Sequence, residues 1–334
     1  MEEQILASIE KIESVKQHSN ADRLDIIKVA GYQCIVSRNE YRVYDLVVLI
    51  RPDSVLPDEE WAIPYKKFCK NRVKAQKLRG EWSFGIAINP KSVGIIILHE
   101  EYEVGKDVTE FLNISKYEYP NQSLIQELNI RRPNLPHNLP KTDEQNWQSL
   151  HRILNNYLGQ TVDVTEKIDG QSCTIYYKNG DFGVCSRKND YKLDANNTFT
   201  QHIERYDLYN KIVGFCKKHN VNLALRGESY GTGIQAFKIN KWAKKSHGLA
   251  FFSVFNLDTL EYERRDSPFY IHKIAKELGI ETVPLLETNL VLSMDLIRHY
   301  RDLEKLNGEY FEGVVIQGKN FSFKIINFEY DSKK

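Results

Sequence analysis

The sequence predicts an α+β protein in which a small β-barrel or sandwich precedes a larger domain of antiparallel sheets and helices. Residues 1 to about 115 contain short apolar runs separated by turn residues, with few helical periodicities. After residue 141, alternating strand patterns are interspersed with segments whose apolar residues recur at helical spacing. A length of 334 residues allows two domains with separate cores.

The composition is that of a soluble globular protein, with 41% hydrophobic and 27% charged residues. The net charge is only +1, so any nucleic-acid surface must be a local patch that is balanced by acidic residues elsewhere. An apolar run such as Ile95 to Leu98 is too short to cross a bilayer, and the first thirty residues do not resemble a signal peptide. We therefore expect no membrane role.

The cysteines and histidines predict neither a disulfide framework nor a zinc site. The nine histidines show no metal-binding spacing. The five cysteines are odd in number, widely spaced and free of any CxxC pair: Cys34, Cys69, Cys173, Cys185 and Cys216. We expect reduced thiols, and hence a reducing compartment, cytoplasmic or nuclear, rather than secretion.

Six strands are expected in the N-terminal region, where alternating apolar residues lie between turn residues. They are Ile5 to Ile12, Leu24 to Val29, Gln33 to Val36, Leu46 to Ile50, Val73 to Leu78 and Phe84 to Ile88. So many short strands with few helices favour a small barrel or sandwich.

A basic strip lies between Tyr65 and Glu81 and contains no acidic residue. Cations neutralise phosphates and aromatic rings stack on bases, so the strip is a candidate RNA contact. The alternative is a solvated lysine-rich face of the fold. The residues that we assign to RNA binding are Lys66, Lys67, Lys70, Arg72 and Lys74.

A proline-rich linker is expected at residues 119–140, because four of the ten prolines fall there: Pro120, Pro133, Pro136 and Pro140. The predicted division is therefore 1–118, 119–140 and 141–334. After the linker, Trp147, Leu150, Ile153 and Leu154 have helical spacing, with Thr142 or Asp143 as a possible N-cap. Two later helices are expected around Leu208 to Cys216 and Ile271 to Leu278.

The segment from Thr165 to Gly170 carries the strongest chemical signal in the chain. Alternating residues on both sides predict a strand, a turn and a second strand, with Gly170 permitting the bend. Lys167 therefore lies at the turn, two residues before Asp169. A lysine amine is a nucleophile only when unprotonated, which requires a lowered pKa. Taken alone, the tetrapeptide Lys167 to Gly170 favours an exposed hairpin lysine over a nucleophile.

Five further motifs follow in order. They are Ser186-Arg187, Leu225-Arg226-Gly227-Glu228, the aromatic strand Phe251 to Phe255, Glu312 to Ile316, and Phe321 to Lys324. This order and spacing resembles the covalent nucleotidyltransferase superfamily of RNA ligases, DNA ligases and mRNA capping enzymes. The resemblance runs from about Lys141 to Lys324 and implies an ATP-grasp-like nucleotidyltransferase domain.

The N-terminal region narrows the resemblance. Ser19 to Leu24, followed by a strand and Gly31, looks like the opening of an OB-fold of the tRNA-binding type. DNA ligases and capping enzymes carry an OB domain after their last lysine motif, whereas only ten residues follow Lys324 here. An OB-like barrel before the transferase domain resembles the Naegleria-type ATP-dependent RNA ligases.

This resemblance implies a role for each motif. Lys167 would be the catalytic nucleophile, and Asp169, Glu228 and Glu312 would hold Mg²⁺ or Mn²⁺ directly or through water. Ser172 would lie near the RNA ends. The residues expected around the nucleotide are Glu166, Gly170, Arg187, Phe255, Val314, Lys324 and Lys141. Of these, Phe255 would stack on the adenine base, opposite an aliphatic residue such as Val314. Two positions depart from the family pattern, because Asn146 stands where relatives often have arginine and Ser322 where many have lysine; Lys319 is a candidate replacement for that lysine.

The function expected from the resemblance is an ATP-dependent RNA ligase that joins RNA 3′-OH and 5′-phosphate ends in RNA repair. The reaction would pass through lysyl-AMP and RNA-adenylate intermediates, with a monomer as the default state. Two alternatives stay open: a GTP-dependent capping-type guanylyltransferase, and a non-catalytic RNA-binding protein with a degenerate transferase domain.

Overall fold

The structure is a computed structural model that describes residues 5–69, 72–97, 104–117 and 135–334, and the backbone of residues 131–132. The helices are α1 (Ile63–Cys69), α2 (Thr198–Arg205), α3 (Leu208–His219), α4 (Ile271–Leu278), α5 (Met294–Asp302) and α6 (Phe328–Lys333). The strands are β1 (Ala7–Gln17), β2 (Leu24–Val29), β3 (Tyr32–Ser37), β4 (Leu46–Ile50), β5 (Ser54–Val55), β6 (Ala75–Leu78), β7 (Glu81–Phe84), β8 (Ile86–Ile88), β9 (Ser115–Lys116), β10 (Arg131–Arg132), β11 (Thr161–Glu166), β12 (Gln171–Lys178), β13 (Asp181–Cys185), β14 (Asp190–Tyr191), β15 (Leu223–Tyr230), β16 (Gly248–Asn256), β17 (Glu261–Glu263), β18 (Leu285–Val291), β19 (Gly313–Gln317) and β20 (Ser322–Ile326).

The chain divides into two compact units. The first comprises Met1–Pro120, Trp147–Asn156 and Asp331–Lys333, and the second comprises Asn121–Asn146, Tyr157–Tyr330 and Lys334. Most of the expected proline-rich linker, including Pro120 and Pro133, lies outside the described residues.

The first unit contains an antiparallel sheet of order β3-β2-β1-β4-β8, which curls into a nearly closed barrel and confirms the predicted OB-like fold. The strand predicted from Phe84 to Ile88 is interrupted at Gly85, which has φ 121°. A Cβ there would lie 3.1 Å from the carbonyl oxygen of Ile50, so the close approach of two strands requires glycine.

The second unit contains a seven-stranded antiparallel sheet of order β10-β14-β13-β12-β15-β16-β17 and a four-stranded antiparallel sheet of order β18-β11-β19-β20. These sheets and the accompanying helices confirm the predicted α+β domain. One face of the larger sheet is apolar because alternate residues of β12 and β15, such as Ile175 and Leu225, point to the same side. Helices α3 and α4 pack there through Ile212 and Ile274. The opposite face carries Glu228.

The helix predicted after Lys141 is wrong. The backbone amide of Lys324 donates to the carbonyl oxygen of Gln145 at 2.8 Å, and Asn146 bridges to Lys324 as in a parallel sheet. This pairing holds the segment extended and leaves its carbonyls unavailable for a helix. Only short 3₁₀ turns follow, at Trp147–Leu150 and Leu154–Asn156.

All five cysteines are buried and unpaired, in agreement with the expected absence of a disulfide framework. In the described part of the chain, no helix combines the length and the apolar character needed to cross a bilayer.

Candidate active site

Lys167 follows the last residue of β11 and is fixed by its backbone, because its amide donates to the carbonyl oxygen of Gly313 at 3.0 Å. Its Nζ lies 2.5 Å from Oε2 of Glu312. The turn that follows passes so close to β15 that a Cβ on Gly170 would lie 2.4 Å from the carbonyl oxygen of Ser229. Gly170 is therefore required by a close approach of backbones, and the turn presents Lys167 from a rigid frame.

Three carboxylates surround the Lys167 ammonium. Glu312 precedes β19 and pairs with Lys167 directly. Glu228 lies on β15 opposite Ser172 of β12 and Ala250 of β16, on the face of the larger sheet that α3 and α4 do not cover. Asp169 is 5% exposed and accepts a hydrogen bond from the Tyr330 hydroxyl at 2.8 Å. The structure therefore brings together the predicted nucleophile and the three predicted acids.

A second ammonium group, which no sequence motif predicts, lies in the same cluster. Nζ of Lys334 lies 2.9 Å from each of the two carboxylate oxygens of Asp169, and 3.6 Å from Oε1 of Glu312. The Lys334 side chain is 7% exposed. No sequence pattern predicts this contact, since Lys334 belongs to none of the motifs and is 165 positions from Asp169.

Burial and charge shift the pKa values of the cluster in different directions. Burial raises the pKa of Glu228 to about 8, and the negative charges of Glu312 and Asp169 add to this effect. Burial also raises the pKa of Asp169. For Glu312 burial acts upward, but Lys167 and Lys334 outweigh it and lower the pKa. For Lys167 burial acts downward, but Glu312, Glu228 and Asp169 outweigh it and raise the pKa.

The acidic cluster accommodates positive charge besides that of Lys167. Among the described residues, no three carboxylate, imidazole or thiol side chains are arranged to bind one metal ion. The Lys334 ammonium nevertheless lies between Asp169 and Glu312, which shows that these two acids accommodate positive charge. Mg²⁺ commonly keeps several of its waters, so carboxylates at this spacing suit its hydration shell.

The smaller sheet offers a cationic residue beside the cluster. Lys324 of β20 is half-buried, lies opposite Val315 of β19, and contributes to lowering the pKa of Glu312. Residues that are directly opposite share a face, so Val315 and Lys324 line the open side of this sheet. Val314 lies opposite Glu166 and Ile325 and is fully buried. The structure therefore places Val315 beside Lys324, whereas the side chain of Val314, the valine expected near the nucleotide, is directed into the core.

The aromatic strand β16 contains two candidates for contact with a base. Phe255 is 4% exposed, and its ring packs against Tyr262 with centroids 5.1 Å apart. It lies five residues from Ala250, the partner of Glu228, which is about 16 Å along a strand. Phe252 is half-buried and packs on a cluster that includes Ile168, next to Lys167. Phe252, and not Phe255, is therefore the phenylalanine of β16 that packs on the cluster around Ile168.

The remaining predicted nucleotide residues are engaged in different ways. Arg187 forms an ion pair with Asp143 at 2.5 Å, and both side chains are partly exposed. Lys141 is exposed. The carboxylate of Glu166 is 4% exposed and accepts hydrogen bonds from the indole of Trp242 at 2.9 Å and from the ammonium of Lys241. Glu166 thus holds a neighbouring loop with its side chain.

Ser172 and Ser322 each form a side-chain hydrogen bond with the extended segment after Lys141. Ser172 shares a short hydrogen bond with Thr142, near the start of the extended segment. The hydroxyl of Ser322 donates to Glu144 at 2.6 Å and accepts from the Arg264 guanidinium at 2.5 Å. Lys319 points elsewhere, toward Asp266 at 3.7 Å. Arg264 is therefore the cation that contacts Ser322, the position at which many relatives have lysine.

The basic strip of the first unit is divided between exposed and buried residues. Lys66 is ion-paired with Asp58, and Lys67 lies 4.8 Å from the centroid of the exposed Phe68 ring. Arg72 is 7% exposed, with ion pairs to Asp53 and Asp331. Lys74 donates to the carbonyl oxygen of Ser332 at 3.0 Å, and Lys70 lies outside the described residues.

Two family models match the sequence: an RNA ligase family at residues 160–326 and an OB-fold domain at residues 6–90. Among solved structures, a mutant of the Naegleria gruberi RNA ligase with ATP and Mn is 26% identical, with a TM-score of 0.82 and 98% of each chain covered. A second mutant of that ligase, with AMP and Mn, is 26% identical, with a TM-score of 0.83 and 99% of each chain covered. The Naegleria gruberi RNA ligase with PPi is 27% identical, with a TM-score of 0.80 and 98% of each chain covered. No curated protein sequence matches the chain.

Proposed function

Because the chain belongs to the RNA ligase family, we propose that it uses ATP to join RNA 3′-OH and 5′-phosphate ends, with Lys167 as the nucleophile. The observation that carries this proposal is the position of the Lys167 ammonium within a cluster of Glu312, Glu228 and Asp169. The similar Naegleria ligase has been solved with ATP, AMP, PPi and Mn, which supports ATP and a divalent cation here.

In the first step, Nζ of Lys167 attacks the α-phosphorus of ATP, forming an N–P bond while the bond to pyrophosphate breaks. The ammonium must lose a proton before this attack, and the three carboxylates oppose that loss. A divalent cation beside Asp169, Glu228 and Glu312 would offset their charge and stabilise the charge on the α-phosphate. In the later steps AMP passes to the RNA 5′-phosphate, and the 3′-OH displaces AMP to complete the phosphodiester bond.

The nucleotide would lie between the open faces of β16 and β19. Lys324 would neutralise the phosphate, and Phe252 and Val315 would take the base-contacting positions that the sequence assigned to Phe255 and Val314. Gly170 keeps the turn close to β15, and Glu166 shapes the base pocket by holding Trp242. Three cationic residues complete the proposed site. Arg187 would contact the ribose, and Lys141 and Arg264 would supply further positive charge.

Each unit offers residues for contact with RNA. Ser172 lies opposite Glu228 and near the reacting ends, while Lys66, Lys67 and Lys74 offer cations on the OB-like domain, with Lys70 as a further candidate from the sequence. We assign Arg72 a structural role, because it is 7% exposed and pairs with Asp53 and Asp331. We also propose that the chain divides into domains at 1–118 and 141–334, joined by a linker at 119–140. The protein would act as a monomer in RNA repair. Its compartment would be reducing, cytoplasmic or nuclear, consistent with five buried free thiols.

The test is covalent labelling with ATP that carries a label on its α-phosphate. The protein is incubated with Mn²⁺ and labelled ATP or GTP, denatured, and compared with Lys167→Ala. We expect label from ATP on the wild type and none on the variant. Label from GTP alone would favour a capping-type transferase, and label from neither nucleotide would leave only RNA binding; either result would overturn the proposal.

A further inference from the structure

The connection between β15 and β16, residues 231–247, is the most basic surface segment near Lys167; we call it the basic loop. It carries Lys238, Lys241, Lys244, Lys245 and His247. No acidic residue occurs from Ser229 to Leu257, although the whole chain contains 46 basic and 45 acidic residues. Positive charge is thus concentrated at one edge of the second unit.

The basic loop is attached to the catalytic turn by buried polar contacts. The Asn240 side-chain amide, which is 1% exposed, donates to the carbonyl oxygen of Asp169 at 2.9 Å. The indole of Trp242 donates to Glu166 at 2.9 Å, and Lys241 pairs with the same carboxylate at 2.8 Å. Residues on both sides of Lys167 therefore hold the loop in a fixed position beside the reaction centre.

The outer side of the basic loop remains available to solvent. Lys238, Lys244 and Lys245 are exposed, and none of them forms an ion pair with a carboxylate in the described part of the chain. Lys245 lies 3.8 Å from the centroid of the Trp242 ring, which directs its ammonium. Arg205 of α2 donates to the carbonyl oxygen of His247 at 2.6 Å and adds a fourth cation.

We propose that the basic loop, together with Arg205, binds the phosphate backbone of the RNA strand whose end reacts at Lys167. This inference rests on the proposed function and names the surface of the second unit that its RNA uses. RNA is a polyanion, and surface cations without acidic partners bind it by neutralising phosphates. The anchors to Asp169 and Glu166 place these cations next to the lysine motif, where a reacting end must be held.

The exposed cations of the basic loop have a different role from the residues of the nucleotide site. Adenylylation of Lys167 requires ATP but no RNA, so the exposed cations contribute to RNA binding and to the two later steps only. Lys241 is excluded from this set because its ammonium is bound to Glu166.

The experiment compares the double variant Lys244→Ala and Lys245→Ala with a matched control. The control is Lys273→Ala and Lys276→Ala on α4, which removes the same charge from two exposed residues on the opposite face of the larger sheet. Binding of a 5′-phosphorylated RNA is measured by fluorescence anisotropy at several salt concentrations. Self-adenylylation is measured on the same preparations, without RNA.

We expect the loop variant to bind RNA roughly tenfold more weakly and with a salt slope smaller by about 1 to 2, because each lost phosphate contact removes about 0.7 to 0.9 from the slope. Self-adenylylation and the control should match the wild type. Unchanged RNA affinity in the loop variant, or an equal loss in the control, would overturn the inference.

A second variant, Lys238→Ala and Lys244→Ala, keeps Lys245 on Trp242 and repeats the test if the first is unstable. A wild type that binds RNA but never becomes adenylylated would refute the proposed function while leaving the loop result intact.

Discussion

The ammonium of Lys334 lies 2.9 Å from the carboxylate of Asp169, inside the group of acids that surrounds the nucleophile. Glu312 lies between two ammonium groups, with Lys167 at 2.5 Å and Lys334 at 3.6 Å. Acidic and basic groups therefore alternate across the site. In this arrangement Lys334 supplies part of the positive charge that a divalent cation would otherwise provide.

Replacing Lys334 by methionine should therefore strengthen binding of Mn²⁺ to the protein without ATP. The substitution keeps the apolar stem and removes a charge that competes with the ion, so we expect an affinity higher by roughly tenfold or more. The metal-free protein should also lose about 3 kcal/mol of stability, because buried carboxylates lose a partner. Electron paramagnetic resonance titration with Mn²⁺ and thermal unfolding measure the two effects.

The neighbouring Lys333 provides the control for Lys334, since it is exposed and Lys333→Met changes the net charge equally. We expect wild-type Mn²⁺ affinity in this variant. Weaker Mn²⁺ binding in Lys334→Met would contradict the competition and would mean that Lys334 supports the ion.

Two phenylalanines of β16 should respond to truncation in opposite ways. Phe252→Ala should weaken ATP binding by about 1 to 3 kcal/mol, the range for a stacked base, with little loss of stability. Phe255→Ala should lower the free energy of unfolding by about 3 to 5 kcal/mol, because a buried ring is lost, and should leave the affinity of the folded protein for ATP unchanged. Equilibrium ATP binding and urea unfolding distinguish them; the reverse pattern would restore Phe255 as the stacking residue.

The sequence located the reaction centre because its motifs are local. Lys167 and Asp169 share one turn, and Glu228 and Glu312 lie at or beside strands with clear alternation. The sequence alone does not determine finer placement, where a shift of one residue in register changes which side chain faces the site. A β-bulge pairs Arg226 with Ser253 but Gly227 with Phe251, which makes Phe252 an extra residue that no periodicity reveals.

Other features depend on contacts between distant segments. Val314 and Val315 are equivalent in composition, and only the register with Lys324 shows which one faces the site. The segment after Lys141 has helical spacing, but its pairing with β20 overrides that local preference. Lys334 reaches Asp169 across 165 positions, a distance over which spacing carries no information.

The stability of the protein should fall in mild acid because of His202 on α2. Its ring is 2% exposed and lies 2.9 Å from the Ser229 hydroxyl, and burial lowers its pKa to about 4. Since the pKa is depressed in the folded state, this contribution is complete above pH 6.5 and is lost as the pH falls toward 4. The loss for this one group is about 3 kcal/mol. His202→Gln should show a shallower decline of melting temperature between pH 6.5 and 4, whereas an identical slope would exclude His202 as its source.

Arg72 and Lys67 belong to the same basic strip but should have different effects on the first unit. Arg72 is 7% exposed and pairs with Asp331 at 2.7 Å, so Arg72→Met leaves a buried carboxylate unpaired and should cost about 3 to 5 kcal/mol. At 2 to 4 °C per kcal/mol, the melting temperature should fall by roughly 10 °C, with the RNA affinity of the folded protein unchanged. Lys67→Ala should leave the melting temperature unchanged and weaken RNA binding, because its ammonium lies at the surface beside Phe68. Calorimetry and RNA titration on both variants test this contrast, and a loss of RNA affinity in folded Arg72→Met would return Arg72 to the RNA-binding set.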